Sequence, residues 1–127
     1  MAAGRALTAE QSLGEQLAEW GKVALLETRG RRSGRPTTAA VGYVEEPDGS
    51  LLVAAGEADA DWALNLRADR RCRATIGERS ITLRAEELAD RAEHARAVRE
   101  LILRYGTPAE RLGRGPAFRL TPATTAE

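Results

Sequence analysis

A single cysteine, Cys72, and a single histidine, His94, are all this chain offers of the two residue types that build most protein metal sites. One thiol cannot close an internal disulfide, and one thiol with one imidazole falls short of a structural zinc set, so no metal is expected. Aromatic residues make up only 4% of the chain, which leaves little for the stacking platform of a single-strand nucleic-acid binder. Net charge is missing too: 19 basic residues face 19 acidic ones, so there is no global basic field to gather nucleic acid or an anionic membrane. No stretch approaches the roughly 20 apolar residues of a membrane helix, and MAAGRALTAEQ at the N-terminus lacks the basic run and apolar core of a signal segment. The expectation is therefore a cytoplasmic protein with no integral membrane segment and no nucleic-acid partner. Lys22 is the one lysine, and alanine is abundant, the usage of a GC-rich bacterial genome, so scattered arginines carry no weight as a binding signal.

The 127 residues suit one domain, 1–127, with a single core. Leu13, Leu17 and Trp20 recur at helical spacing after the capping pair Thr8 and Gln11, which predicts a helix over 8–20, closed by Gly21, with those three on its buried face. Strands are predicted over 23–28 and 37–44, and the turn Glu46-Pro47-Asp48-Gly49 leads into Leu51, Leu52 and Val53 as a hairpin. Asp59 or Asp61 is placed to cap a short helix carrying Trp62, Asn65 and Leu66. Cys72, Ala74 and Ile76, then Ile81, Leu83 and Ala85, alternate about Gly77-Glu78 as a second hairpin. A third helix starts near Asp90, buries Ala95, Val98, Leu101, Ile102 and Tyr105, and ends at Gly106. A last strand over 117–121 precedes a flexible tail over 122–127. Five or six strands, mostly in hairpins, with three helices describe a mainly β or α+β domain, an antiparallel sheet or small barrel.

Against the neutral background, Thr28 to Pro36 reads TRGRRSGRP and holds Arg29, Arg31, Arg32 and Arg35 on one turn. Gly30 and Gly34 permit positive φ, so the backbone amides can form a nest for a phosphate or carboxylate to which arginine adds bidentate donors. A solvated hairpin loop is the alternative. Trp62 and Asn65 lie one helical turn apart and offer an indole surface and an amide to a pocket, or an indole to the core. Asp59 and Asp61 are candidate general acids or bases, or plain helix caps. Tyr43 and Tyr105 are candidate proton donors, although both fall on apolar stripes. His94, on the polar side of its helix, is expected to be exposed, and Cys72 to be a small apolar filler.

The run ALLETRGRRSGRPTTAAVGYV, the VAAG that follows the first hairpin, and DWALNLRAD resemble, in that order, the deazaflavin-dependent nitroreductase family. The similarity runs from about Val23 to Ala85. It implies a small split β-barrel that binds coenzyme F-420. It implies, too, that Arg31, Arg32, Ser33, Gly34 and Arg35 grip the cofactor's phosphate and acidic tail, with Ala54, Ala55, Gly56, Trp62 and Asn65 lining its ring side. The implied activity is hydride transfer from reduced F-420 to a small electron-poor substrate such as a quinone, an enone or a nitro compound. Two other readings stay open. One is a relative without the cofactor, catalysing isomerisation, cyclisation or hydrolysis with Asp59 or Asp61 as acid/base. The other is a non-catalytic carrier of an anionic small molecule. A monomer and a homodimer are equally compatible with the sequence.

Overall fold

The computed structural model describes residues 9–123. Seven strands form one antiparallel sheet: β1 (Ala24–Arg29), β2 (Pro36–Val41), β3 (Val44–Glu45), β4 (Leu51–Ala54), β5 (Arg71–Ile76), β6 (Arg79–Glu87) and β7 (Ala117–Pro122). Their order across the sheet is β2-β1-β5-β6-β7-β4-β3. β2 and β3 are thus the two edges, yet only Gly42 and Tyr43 separate them in the chain. Three Cα steps span at most about 11 Å, so the sheet must curl until its edges nearly meet. The result is a half-barrel, the split β-barrel type expected from the sequence.

The predicted single strand over 37–44 is therefore two strands, and Tyr105 accounts for the break. Its hydroxyl accepts from the Tyr43 amide (3.0 Å) and donates to the Lys22 carbonyl (2.6 Å), standing in for a strand partner where pairing stops. Its ring lies where a Cβ on Gly42 would come within 3.0 Å, so that position has no room for a side chain. Both predicted hairpins with short turns form: β5 and β6 are joined by Gly77-Glu78, with Gly77 at φ 59°.

The concave side of the sheet holds the main core, with Leu26, Val41, Leu51, Val53, Leu83, Phe118 and Leu120 buried together. Helix α2 (Asp61–Ala68) inserts Ala63 and Leu66 into this core, and Trp62 tilts onto Phe118 with ring centroids 5.9 Å apart. On the convex side, α3 (Arg91–Tyr105) lays Ala97, Val98 and Leu101 against Leu52, Ala54 and Ala117. β4 is consequently buried on both faces, which explains its unbroken apolar run LLVA. Asp90 caps α3, accepting from the Glu93 amide at 3.0 Å, and Gly106 ends it, both as predicted. A 3-10 helix over Thr107–Arg114, which the sequence reading left unassigned, leads into β7.

Several expectations are corrected. Helix α1 (Ala9–Glu19) packs through Gly14 and Ala18, whereas Leu13 and Trp20 are 54% and 65% exposed. A Cβ on Gly14 would sit 2.8 Å from that of Ala40, so α1 approaches the sheet too closely for large side chains to fit between them. Thr8 of the predicted cap lies outside the described residues. Ala95 of α3 is exposed rather than buried. His94 is half-buried, with Nε2 2.9 Å from the Gly115 carbonyl oxygen, not free in solvent. Pro122, placed in the tail by the sequence, belongs to β7, and the Ala123 amide donates to Thr82 O at 2.9 Å; residues 124–127 lie outside the described set.

Candidate functional site

The basic turn is the loop of the β1–β2 hairpin, whose last pair is Arg29 opposite Pro36. The turn closes on itself through Gly30 N to Arg35 O and Gly34 N to Gly30 O, each 2.8 Å, and Ser33 Oγ accepts from the Arg35 amide at 3.1 Å. Of its two glycines only Gly34 has positive φ, 74°. Gly30 is crowded instead: a Cβ there would lie 2.8 Å from Ser33 Oγ and 3.1 Å from Arg35 O, so a side chain would displace the serine hydroxyl. The expected nest is correspondingly narrower. Among the described residues no hydrogen bond engages the amides of Arg32 and Ser33.

Asn65 ties the turn to α2. It is only 3% exposed, and its amide is fully used. Oδ1 accepts from the Arg31 amide (3.2 Å) and from Arg31 Nη1 (2.8 Å), while Nδ2 donates to Thr28 Oγ1 (3.1 Å) and Thr37 Oγ1 (3.3 Å). Asp61, the first residue of α2, adds an ion pair, Oδ1 to Arg31 Nη2 at 3.1 Å. The far end of α2 is held by Arg67, whose guanidinium donates to both carboxylate oxygens of Glu87 at 2.8 and 2.7 Å. That hydrogen bonding holds the Glu87 carboxyl below its ordinary value. Neither Asp59 nor Asp61 caps α2; Ala60, which has no side-chain acceptor, occupies the cap position, and the Asp61 carboxylate pairs with Arg31.

Between turn and helix lies an open cleft of ≈ 440 Å³. Arg31, Arg32, Ser33 and Asp61 form its polar rim, Asn65 its floor beside Thr37, and Trp62 with Ala39 its apolar wall. A cleft of similar size on the other side of β1 is walled by Glu27, Arg29, Asp69, Arg71 and Arg73, and there the acid already serves the bases: Asp69 is 3.0 Å from Arg71 and 3.9 Å from Arg29. Arg71's hydrogen bonds accordingly hold the Asp69 carboxyl below its ordinary value.

The sequence-predicted site residues separate into two groups. Arg31, Arg32, Ser33, Trp62, Asn65 and Asp61 come together in the first cleft. Gly34 faces the second cleft, and Arg35 is exposed on the turn. Ala54 and Ala55 are buried, and Gly56 opens onto a different depression beside Ala60, Arg111 and Leu112, so the VAAG segment does not line the Trp62 wall. Asp59 is exposed and outside the cleft. Tyr43 and Tyr105 are also elsewhere: Tyr43 donates its hydroxyl proton to Gly21 O at 2.8 Å, Tyr105 to Lys22 O, and Arg104 stacks over both rings at 4.7 and 5.2 Å. Both phenols are structural posts, their protons held by backbone carbonyls. Cys72 points into the core, where burial pushes its thiol up to about 12.

Sequence reasoning missed Thr28 and Thr37. Threonines opposite one another at the mouth of a hairpin were the available signal, since the buried Thr28 hydroxyl needs a polar partner, and Asn65 is that partner for it and for Thr37.

A family model described as F420H(2)-dependent quinone reductase matches residues 3–115. Nothing among curated proteins matches this chain. Solved structures share its fold. The F420-H2 dependent reductase FDR-A is 21% identical, with 78% of this chain and 93% of that one covered at a TM-score of 0.64. The heme storage protein HutZ from Vibrio cholerae is 17% identical, with 92% of each chain covered at 0.67. A chain described as a domain-swapped dimer is 20% identical, with 86% of this chain and 94% of that one covered at 0.64.

Proposed function

This chain belongs to the F420H(2)-dependent quinone reductase family, and from that premise we propose that it is a reductase that takes reduced F-420 into the cleft between the basic turn and α2. The acceptor is a small electron-poor molecule, a quinone first, with enones and nitro compounds as the neighbouring classes. One observation carries the reading: the same ≈ 440 Å³ cleft presents cationic and amide donors at its rim and the Trp62 indole beside Ala39 as its wall. That is the chemistry for a ligand that joins an anionic group to a flat apolar ring.

The residues fit the cofactor. Arg32 and the amides of Arg32 and Ser33 would hold its phosphate, Trp62 and Ala39 would flank its ring, and Asn65 would act behind them by fixing the turn. The bound cofactor supplies a hydride. The chain's own contribution is position. Asn65 locks the turn to α2, so the anion donors and the ring wall would keep a fixed separation, and a ring bound on Trp62 would exclude water from one side. Tyr43 and Tyr105 take no part, their hydroxyls being bonded to backbone carbonyls.

Fluorescence titration with F-420 tests the reading. Binding in the low micromolar range is expected, with Arg32→Ala weakening it about tenfold or more, the scale of a lost charge-assisted hydrogen bond. Oxidation of reduced F-420 by a quinone panel should then saturate. Absence of binding at tens of micromolar would sink the proposal. The same reading takes 1–127 as one cytoplasmic split-barrel domain, monomeric or homodimeric, and gel filtration separates those two states.

A further inference from the structure

Asp61 places a carboxylate on the rim of a cleft otherwise built for an anion. Its side chain is 88% exposed, while the Arg31 side chain it contacts is 24% exposed. Arg31 donates three side-chain bonds: Nη1 to Asn65 Oδ1 (2.8 Å) and Asp61 O (3.4 Å), Nη2 to Asp61 Oδ1 (3.1 Å). The other acids of the same loop, Glu57 and Asp59, are exposed and form no ion pair among the described residues. Of the three acids, one reaches the arginine.

We infer that Asp61 is a built-in counter-anion that competes with an incoming phosphate-type group for Arg31, and so sets the affinity and charge preference of the cleft. The inference deepens the function proposed above and rests on it for the identity of the ligand. With Asp61 in place, Arg32 is the cation that a singly charged ligand meets. A ligand reaches Arg31 only by displacing the carboxylate. The exchange is feasible because an exposed ion pair is weak, whereas a phosphate oxygen pair matches the guanidinium fork. Asn65 keeps Arg31 in place throughout, since its bonds to Arg31 do not involve Asp61.

The test is Asp61→Asn beside Glu57→Gln, which removes the same unit of charge from the same loop without touching Arg31. Asp61 is a surface residue, and Asp61→Ser repeats the experiment if the asparagine variant is poorly folded. Each protein is titrated with inorganic phosphate while the arginine side-chain NMR signals are followed, with Arg31 assigned by its loss in Arg31→Ala. In parallel each is titrated with F-420. Removing one close like charge at a surface site should lower the midpoint for Asp61→Asn about three- to tenfold in both titrations. The Glu57→Gln midpoint should stay within about twofold of the parent. Equal or weaker binding by Asp61→Asn overturns the inference, as does an equal gain from Glu57→Gln, which would make the effect one of net charge. Failure of F-420 to bind any of the proteins refutes the functional proposal, and the phosphate titration then still decides whether Asp61 is the counter-anion.

Discussion

Replacing Asn65 by leucine should unfasten the basic turn from α2 while keeping the branching and the number of heavy atoms in the side chain. Four hydrogen bonds disappear. The loss is smaller than four full bonds. The Thr28 and Thr37 hydroxyls keep each other at 3.3 Å, and the Arg31 groups at the rim regain water. At a net 0.5–1.5 kcal/mol per bond, with Thr28 left poorly satisfied in a buried place, about 2–3 kcal/mol is expected. For a chain of this length that corresponds to a Tm lower by about 8–12 °C. Urea unfolding should show the midpoint falling with the slope unchanged, because the change is local. Thr28→Val attacks the same bonds from the sheet side, so the double mutant should be less destabilised than the sum of the two singles, by about 0.5–1 kcal/mol or more. An Asn65→Leu protein within about 0.5 kcal/mol of the parent, or strict additivity in the cycle, would refute the claim that this amide joins the turn to the helix.

Tyr105→Phe removes the hydroxyl that bridges Tyr43 N and Lys22 O, and should cost about 1–2 kcal/mol in urea unfolding. F-420 binding and turnover should stay within about twofold; a tenfold loss of turnover in a folded variant would return the phenol to the chemistry. Cys72 has an ordinary value of 9.0 and is pushed up to about 12, first by burial and then by the charge of Asp69. The folded state therefore holds the thiol proton more tightly than the unfolded one. Its contribution is intact below about pH 9 and is lost as pH climbs toward 12, by up to about 1.4 kcal/mol per unit. Cys72→Ala should show a shallower alkaline loss of stability than the parent, and the native thiol should resist a chromogenic thiol reagent at pH 8 until urea is added. Rapid labelling of the native protein would contradict the burial.

The hairpins, α2 and α3 were legible because their signals are local. Gly77-Glu78 sits between two alternating runs, and Asp90 stands three residues before Glu93. The break after Val41 was not legible, since it depends on a tyrosine more than sixty residues later filling the space beside Gly42. The face of α1 was misread for a related reason: spacing favours the largest apolar residues, whereas the close approach to Ala40 selects Gly14 and Ala18. In the cleft, residue types were readable and partnerships were not. TRGRRSGRP announced four cations, but only the folded chain shows Arg29 near Asp69, Arg31 held by Asn65 and Asp61, and Arg32 on the rim of the cleft. The tyrosines were the opposite case, chemically suitable and spatially committed elsewhere.

The split-barrel frame cannot by itself choose the ligand, for a heme storage protein and an F420-H2 dependent reductase superpose on it about equally well. The choice lies in the side chains that reach the cleft. A heme site of the commonest kind needs an imidazole at the iron, and the one histidine of this chain is bonded to the Gly115 carbonyl, where it borders a groove on α3 with Val98 and Ile102. The two phenols that offer another iron ligand are fastened to Gly21 and Lys22. What does reach the cleft is two guanidinium groups, hydroxyls, the Asp61 carboxylate and an indole, donors suited to an oxyanion and an apolar surface suited to a ring. The position of Asn65 turns that collection into a site. By joining Thr28 and Thr37 of the barrel to Arg31 of the turn, it makes the spacing between anion donors and ring wall a property of the core. On the function proposed above, a ligand that carries both groups at that spacing would bind without ordering the loop first, and one that carries only one of them would forfeit half of the site.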